Sequence, residues 1–536
     1  MSSSSGLLEF LYILYQEVYV YMKTQFFKFL SLSVLAAFLL SLMGCDSVKE
    51  EDEFIPESTV VLEDLKPVSL SFCFPGVQPK NWPEVKEEIE KRAGPTLHVS
   101  LDFKWLDSFN YSQRLRTQSA SDSLYDAFVC AQPDQYTFDF TVLAREGKLK
   151  DITELFPKNA PDLYAKYSSE ELDYAKLDGR LYAVPSLNPQ ANCTYVYVNA
   201  ELLKKYNIDK IETFDDYEKY LKAVKNGSQK LIPGIVTNMS DTLRLFSRAS
   251  GYVIADSLQW FVYKWDDPEM KVVPWEKTPE FRKAVSYLVS WYKNGYLAPS
   301  SNTDFKNITS FVYYGLLSPP SIETTYMTFS VTGGNTEKSD PMRIFYLYPD
   351  NTVQRENPMG TFFFNGSFVF DARSENTDRA LRFLDWVQKS RENYMLMLYG
   401  IENKDYVIRD GSPVFPDGMD YQNRTYMYWD GYWAFTNIEY STPYSAPGGN
   451  AAANPREFLD KNSKYPPHGA LYPNYDKLVI ATMERNEAYT HFEDSLREGD
   501  ITNMAQVDAF IKELEEKGSA NLAALLQKQL DEKKGK

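Results

Sequence analysis

The sequence predicts an α/β protein with more than one domain, and three observations point there. From Val68 to Cys130 the chain alternates strand, helix, strand, helix, strand, the pattern of a parallel sheet with helical crossovers. A second succession of strand and helix opens at Thr194. About 490 residues remain once an N-terminal export segment is set aside, which is more than one domain normally holds.

The export segment comes first in chain order. Phe29 to Met43 is the most apolar run. It is shorter than the roughly 20 residues that cross a bilayer but suits the core of a signal peptide. Lys23 and Lys28 give a positive flank if translation starts at Met22, and residues 1–21, without a positive charge, are set aside as upstream of that start. Leu42-Met43-Gly44-Cys45 resembles the bacterial lipobox, whose cysteine sulfur takes a diacylglycerol and becomes residue one of a mature lipoprotein. The alternative is an ordinary signal peptide ending near a cysteine. The resemblance implies a lipid-anchored protein facing outward from the cell membrane through Cys45, with enough acyl chain for stable attachment. Asp46 to Lys66 is acidic, mostly unpatterned and interrupted by Pro56, as a flexible tether would be.

Order is expected from residue 67. Val68 to Phe74 alternates as a strand does, and Pro75-Gly76 breaks it. Asn81 is expected to cap a helix that has Glu84, Glu87 and Glu88 near its start, Val85 and Ile89 on its apolar face, and Gly94 as its stop. Leu97 to Phe103 is strand-like, Ser108 to Ser119 places Tyr111 and Leu115 one helical turn apart, and Tyr125 to Cys130 is a third apolar strand. In the second region Thr194 to Val198 is a strand. Thr213 caps a helix with Phe214, Tyr217, Leu221 and Val224 on one stripe, ended by Asn226-Gly227. A further helix opens at Thr278-Pro279, buries Phe281, Val285, Leu288 and Trp291, and stops at Asn294-Gly295. Tyr399 to Pro473 is rich in Tyr, Pro, Gly and Asn with little periodicity, and Val507 to Lys533 reads as charged helix. No internal repeat of 20–50 residues is present.

The totals exclude several functions. Net charge is −17 and stays there without residues 1–45, which carry Lys23, Lys28, Glu9 and Glu17. Such a surface repels phosphate backbones and anionic lipid, so neither nucleic-acid binding nor electrostatic membrane docking is expected. Cys73, Cys130 and Cys193 lie far apart in apolar strand-like segments and read as small buried side chains rather than a disulfide framework. The three histidines, His98, His468 and His491, form no Cys/His cluster, so no metal site or cofactor is expected. Aromatic residues make up 15% of the chain, 39 of them Tyr, more than a core needs. Some of those rings are expected to face a ligand.

Several segments taken in order resemble one family. Arg145–Leu155, "REGKLKDITEL", and Leu177–Pro185, "LDGRLYAVP", resemble the family 1 extracellular solute-binding proteins of bacterial ABC importers. There the first ends a helix of lobe one and the second is the strand at which the chain leaves that lobe. "TYVYVNAELLKKYNIDKIETFDDYEKYL", "FVYYGLLSPPS" and "GTFFFNGSFVFDARSENTDRALRFLDWV" follow in the family's order. "ENYMLMLYGIENKDYVI" looks like a Gram-positive subgroup with an extra C-terminal domain of unknown function. Asn199-Ala200 and "IENKDY" depart from the usual pattern at points that bear on ligand specificity, not on class. The resemblance implies a two-lobe, periplasmic-binding-protein-like fold of type II with mixed sheets and a ligand cleft between lobes. Lobe one would hold residues 67–185 and 361–395, and lobe two residues 186–360 and 396–536. It also implies a monomeric protein that captures a carbohydrate, in the first place an oligosaccharide, closes on it by hinge motion and delivers it to an ABC transporter permease.

In a two-lobe α/β protein, ligands bind at the carboxyl ends of strands. That rule selects Phe74 and Gln78 after the first strand, Gln132, Asp134 and Tyr136 after the third, Asn188 and Gln190 at the crossover, Asn365 in the return segment, and Trp429 and Trp433 in "YMYWDGYWAF". A sugar packs its C–H face on Trp or Tyr rings and pairs its hydroxyls with Asn, Gln and Asp. Each position has a plainer reading: Phe74 as core, Asn188 as a turn former before Pro189, Asp134 as a helix cap, and Trp429 with Trp433 as one buried helix face. A glycoside-acting enzyme would need two carboxylates about 5–9 Å apart across a cleft. No nucleophile elbow, zincin helix, phosphate loop or Cys/His arrangement is present, so catalysis is not expected. A non-sugar solute such as a peptide is the other binding alternative.

Overall fold

The computed structural model describes residues 65–121, 125–130, 140–187, 192–256, 260–299, 307–316, 325–326, 341–345, 347, 353–354, 366–409, 411–437, 439–440 and 463–535. The first region runs β1 (Val68–Pro75), α1 (Trp82–Leu97), β2 (Val99–Leu106), α2 (Tyr111–Ser121), β3 (Ala127–Cys130) and β4 (Ala183–Pro185). β1 pairs in parallel with β2 along its whole length and with β3 on its other side. Leu70, Phe72, Cys73 and Phe74 are all fully buried, which explains an almost unbroken apolar strand: both faces of this central strand are covered. The Tyr111 hydroxyl at the head of α2 accepts from the Val129 amide at 3.1 Å and lies 3.2 Å from the Cys73 carbonyl, so one buried phenol ties β1 to β3.

The first helix departs from its expected ends. The Asn81 side chain does not cap α1; its amide donates to both carboxylate oxygens of Asp405, at 3.1 and 2.8 Å. Gly94 does not stop α1 either. The helix runs through Pro95 to Leu97 and ends at His98, whose left-handed backbone returns its amide to the Gly94 carbonyl.

The second region contains β5 (Asn192–Asn199), α3 (Phe214–Gly227), β6 (Gly234–Ile235), α4 (Met239–Ala249), β7 (Tyr252–Asp256), β8 (Phe261–Lys264), β9 (Val273–Pro274), α5 (Pro279–Lys293), β10 (Leu297–Ala298), β11 (Ser310–Leu316), β12 (Thr325–Tyr326) and β13 (Pro341–Phe345). Here the punctuation follows the sequence. Thr213 and Asp216 form a capping box on α3, and Thr278 caps α5 with Pro279 in its first turn. Six strands form a mixed sheet in the order β10-β6-β11-β5-β13-β12, and β7, β8 and β9 form a separate antiparallel sheet.

The chain then returns. β14 (Ser367–Phe370) pairs antiparallel with both β3 and β4, giving a first sheet ordered β2-β1-β3-β14-β4. α6 (Thr377–Lys389) and α7 (Arg391–Tyr399) pack into the same core, as do Tyr406, Tyr426, Met427, Trp429, Ala434 and Phe435. The division expected at residue 396 therefore moves: the aromatic stretch through Phe435 belongs to the first core, because its rings fill the end of that sheet. The C-terminus forms α8 (Val479–Arg497), α9 (Met504–Glu516) and α10 (Ser519–Lys534). The single helix read over 507–533 is broken at Gly518, which takes a left-handed φ of 90°. α8 and α9 complete the second core with Tyr489, Phe492, Leu496, Phe510 and Leu514. A fully buried Arg485 grips both carboxylate oxygens of Glu276 at 2.9 Å and fastens α8 to the second lobe. Among the described residues no helix is long and apolar enough to cross a membrane.

Candidate functional site

The carboxyl edge of the first sheet is covered by one segment, Trp429 to Asn437. At one end, the Trp105 indole near the end of β2 donates to the Asp430 carbonyl at 3.2 Å. The Asp430 carboxylate accepts from the Val77 amide at 3.1 Å, just past β1. Gly76 makes this possible: its φ is +112°, and a Cβ there would lie 2.0 Å from the Asp430 Cβ. At the other end Asn437 bridges to Leu187 beyond β4, and its side chain donates to Gln388 at 3.0 Å. Between them the Trp433 ring lies over Gly366, immediately before β14, where an added Cβ would come within 2.2 Å of the indole. One segment thus spans from β2 to β4 along the edge where strand ends and loops meet.

The rings of this wall differ in burial. Phe74 is fully buried in an edge-to-face contact with Trp429, centroids 5.1 Å apart, and packs on Phe103 and Phe435 as well. Trp429 is 2% exposed, and its indole donates to the Met397 carbonyl at 3.2 Å. Both are core side chains, so the expectation that they contact ligand is corrected: their apolar surface is already spent on the end of the sheet. Trp433 is half-buried, as are Trp105, Tyr428 and Tyr432, while Gln78 is exposed on the same edge. Val77 and Phe109 are strongly exposed apolar side chains beside it, 71% and 70%. Gln132, Asp134, Tyr136, Asn188, Gln190 and Asn365 lie outside the described residues; their described neighbours are Cys130 at the end of β3, Leu187 just past β4 and Gly366 just before β14.

Sequence reasoning missed Trp105, Asp430 and Tyr432. Trp105 was hidden because β2 runs three residues past its expected end, and Asp430 because its role depends on a hydrogen bond to a residue 353 positions away. The signal that could have found Tyr432 and Asp430 was the density of aromatic and turn residues in "YWDGYWAF".

Among the described residues, three links join the first sheet's region to the second region. β4 leads on to β5, the chain returns from β13 to β14, and a third lies at Tyr465 to Tyr475. In that third segment Ala470 belongs to the first core and Leu471 to a cluster with Val253, Phe261 and Leu526. The Arg145 guanidinium donates to the Tyr472 carbonyl at 3.1 Å on one side, and Tyr475 donates to Asp256 at 2.5 Å on the other. Lys533, near the end of α10, pairs with Asp173 of the first region at 3.3 Å. His468 sits buried in this strap, its Nδ1 2.6 Å from the Tyr263 hydroxyl; burial, with Lys533 and Arg248 nearby, pulls its pKa down to about 3. Among the described residues no group of three or more His, Cys, Asp or Glu side chains stands ready for a metal ion.

A family model described as bacterial extracellular solute-binding protein matches residues 87–400. The chain belongs to that family. A carbohydrate ABC transporter substrate-binding protein of Streptococcus pneumoniae serotype 4 is 24% identical over 363 residues, covering 66% of this chain and 68% of its own. Among solved structures, the N-glycan transport solute-binding protein NgtS of Streptococcus pneumoniae aligns with a TM-score of 0.67 at 20% identity, over 87% of this chain and 99% of that one. The Streptococcus pneumoniae protein FusA in complex with kestose aligns at 0.56 and 16% identity, over 87% and 100%. These likenesses establish the two-lobe solute-binding fold, with mixed sheets flanked by helices.

Proposed function

We propose that this solute-binding protein captures an oligosaccharide between its lobes and delivers it to the permease of an ABC importer. The observation that carries the reading is the wall at the carboxyl edge of the first sheet, where half-buried Trp105, Tyr432 and Trp433 stand beside the Asp430 carboxylate and Gln78. Partly exposed rings suit the C–H face of a pyranose, and the adjacent polar groups suit its hydroxyls. The relatives support the same class, being named for carbohydrate and N-glycan transport. The three links between the two regions suit hinge closure, and a ligand that touches both lobes would favour the closed form the permease receives. The lipobox-like Cys45 lies outside the described residues and supports an outward-facing, lipid-anchored location. A monomer is sufficient for this task.

A thermal-shift screen against neutral and acidic oligosaccharides and peptides tests the reading. At 100 times its dissociation constant a ligand adds roughly 2.7 kcal/mol to stability, a shift readily seen. Stabilisation by peptides and by no saccharide, or turnover of a saccharide in place of its binding, would overturn the proposal.

A further inference from the structure

Resting on the saccharide reading, we infer that the site selects neutral over acidic oligosaccharides, and that the Asp430 carboxylate enforces the selection. Asp430 is half-buried, and its one oxygen that is engaged accepts from Val77; its other oxygen has no partner among the described residues. It stands beside Trp105, whose indole it receives on its backbone carbonyl, and three residues before Trp433, whose ring lies over Gly366. A ring stacked on this wall brings its substituents to that carboxylate. Hydroxyls donate to it. A ring carboxylate meets a like charge.

Among the described residues, the segments that form the wall carry no basic side chain to compensate an anion. The described segments Gly76–Gln78, Trp105–Asn110 and Tyr428–Asn437 contain Asp107 and Asp430 and no Lys, Arg or His. Just outside, Lys104 is paired with Asp102 at 2.7 Å, and Lys80, two residues past Gln78, is exposed to solvent. Rejection through an uncompensated like charge is a more effective discriminator than loss of one contact, because the anion is desolvated without gaining a partner. The whole-chain charge of −17 acts in the same direction at long range.

The test uses kestose and a neutral manno-oligosaccharide against a mannuronate oligomer of equal length, titrated calorimetrically into wild type and Asp430→Asn. The substitution is isosteric and keeps an oxygen for the Val77 amide, so the wall keeps its shape while its charge is lost. Wild type should bind the best neutral sugar at least about a hundredfold more tightly than the uronate, and Asp430→Asn should narrow that gap about tenfold. Should the variant fail to fold, the salt dependence of wild type serves: uronate affinity should rise with ionic strength while neutral affinity stays flat. Equal binding of neutral and acidic sugars by wild type, or a gap unchanged in Asp430→Asn, overturns this inference and leaves the saccharide reading standing. Binding of no sugar of either charge overturns both.

Discussion

Gly366→Ala isolates the aromatic wall with a single methyl group. The glycine is not in the left-handed region, so alanine fits its backbone, but the new Cβ would sit 2.2 Å from Trp433 Cζ3 and 2.6 Å from Cε3. Carbon atoms settle at about 3.5–4.0 Å, so the ring must retreat by more than ~1 Å. Overpacking of this kind costs about 1–3 kcal/mol of stability. The effect on ligand is separate. The exposed part of a half-buried indole is on the order of 60 Å², worth ~1.5 kcal/mol at 25 cal/mol per Å², so losing the stacking position weakens binding about tenfold. The assay is calorimetric affinity together with thermal unfolding for wild type, Gly366→Ala, Trp433→Ala and the double variant. Because the clash exists only while the indole is present, Gly366→Ala should cost little in the Trp433→Ala background. If the alanine lowers stability equally in both backgrounds, or if neither single variant changes affinity, the placement of Trp433 on Gly366 as a ligand platform is refuted.

Glu276→Ala should cost about 3–5 kcal/mol, because it strands Arg485, fully buried like its partner, without its carboxylate; denaturant unfolding measures the loss, and hydrogen exchange should show it centred on α8 and α10. Glu493 is held by burial, against the Ser240 hydroxyl and Arg244, at a pKa of about 7 instead of 4.5. Its folded pKa is raised, so the stability it contributes is present in full below about pH 4.5 and is lost as pH rises toward 7; Glu493→Gln should flatten that slope in a stability–pH series. His468 has the opposite sign. Its folded pKa is depressed to about 3, so its contribution is present above about pH 6.5 and is lost as pH falls from there toward 3, and His468→Asn should reduce the acid sensitivity of the strap, read by unfolding midpoints between pH 4 and 7.

The sequence was most legible where local chemistry decides structure. Thr213 with Asp216, and Thr278 with Pro279, set helix starts through hydrogen bonds within four residues, and both are present. Alternation placed β1, a short apolar run placed β3, and the order of family-like segments placed the return strand. What failed was decided at a distance. Asn81 looked like a cap but serves Asp405, 324 positions away, and Gly94 looked like a stop although the chain has room to continue to His98. Phe74 and Trp429 looked like ligand contacts because the strand-end rule gives position along the chain and not which way a ring turns; here they turn into the sheet's end and into each other. The same rule also named Gln78, which is exposed on this edge, and Trp433, which is half-buried there. The aromatic stretch after residue 396 carried no periodicity, so its membership of the first core could be seen only once Tyr426, Trp429 and Phe435 were placed against β1 and β14.

The central claim, that an oligosaccharide is held between two lobes that close on it, is tested most directly by small-angle scattering of the soluble chain from residue 65 onward, before and after saturation with the sugar that binds most tightly in calorimetry. The account predicts a smaller radius of gyration at saturation, with the sugar recovered chemically unchanged. A radius of gyration identical with and without saturating ligand would contradict it.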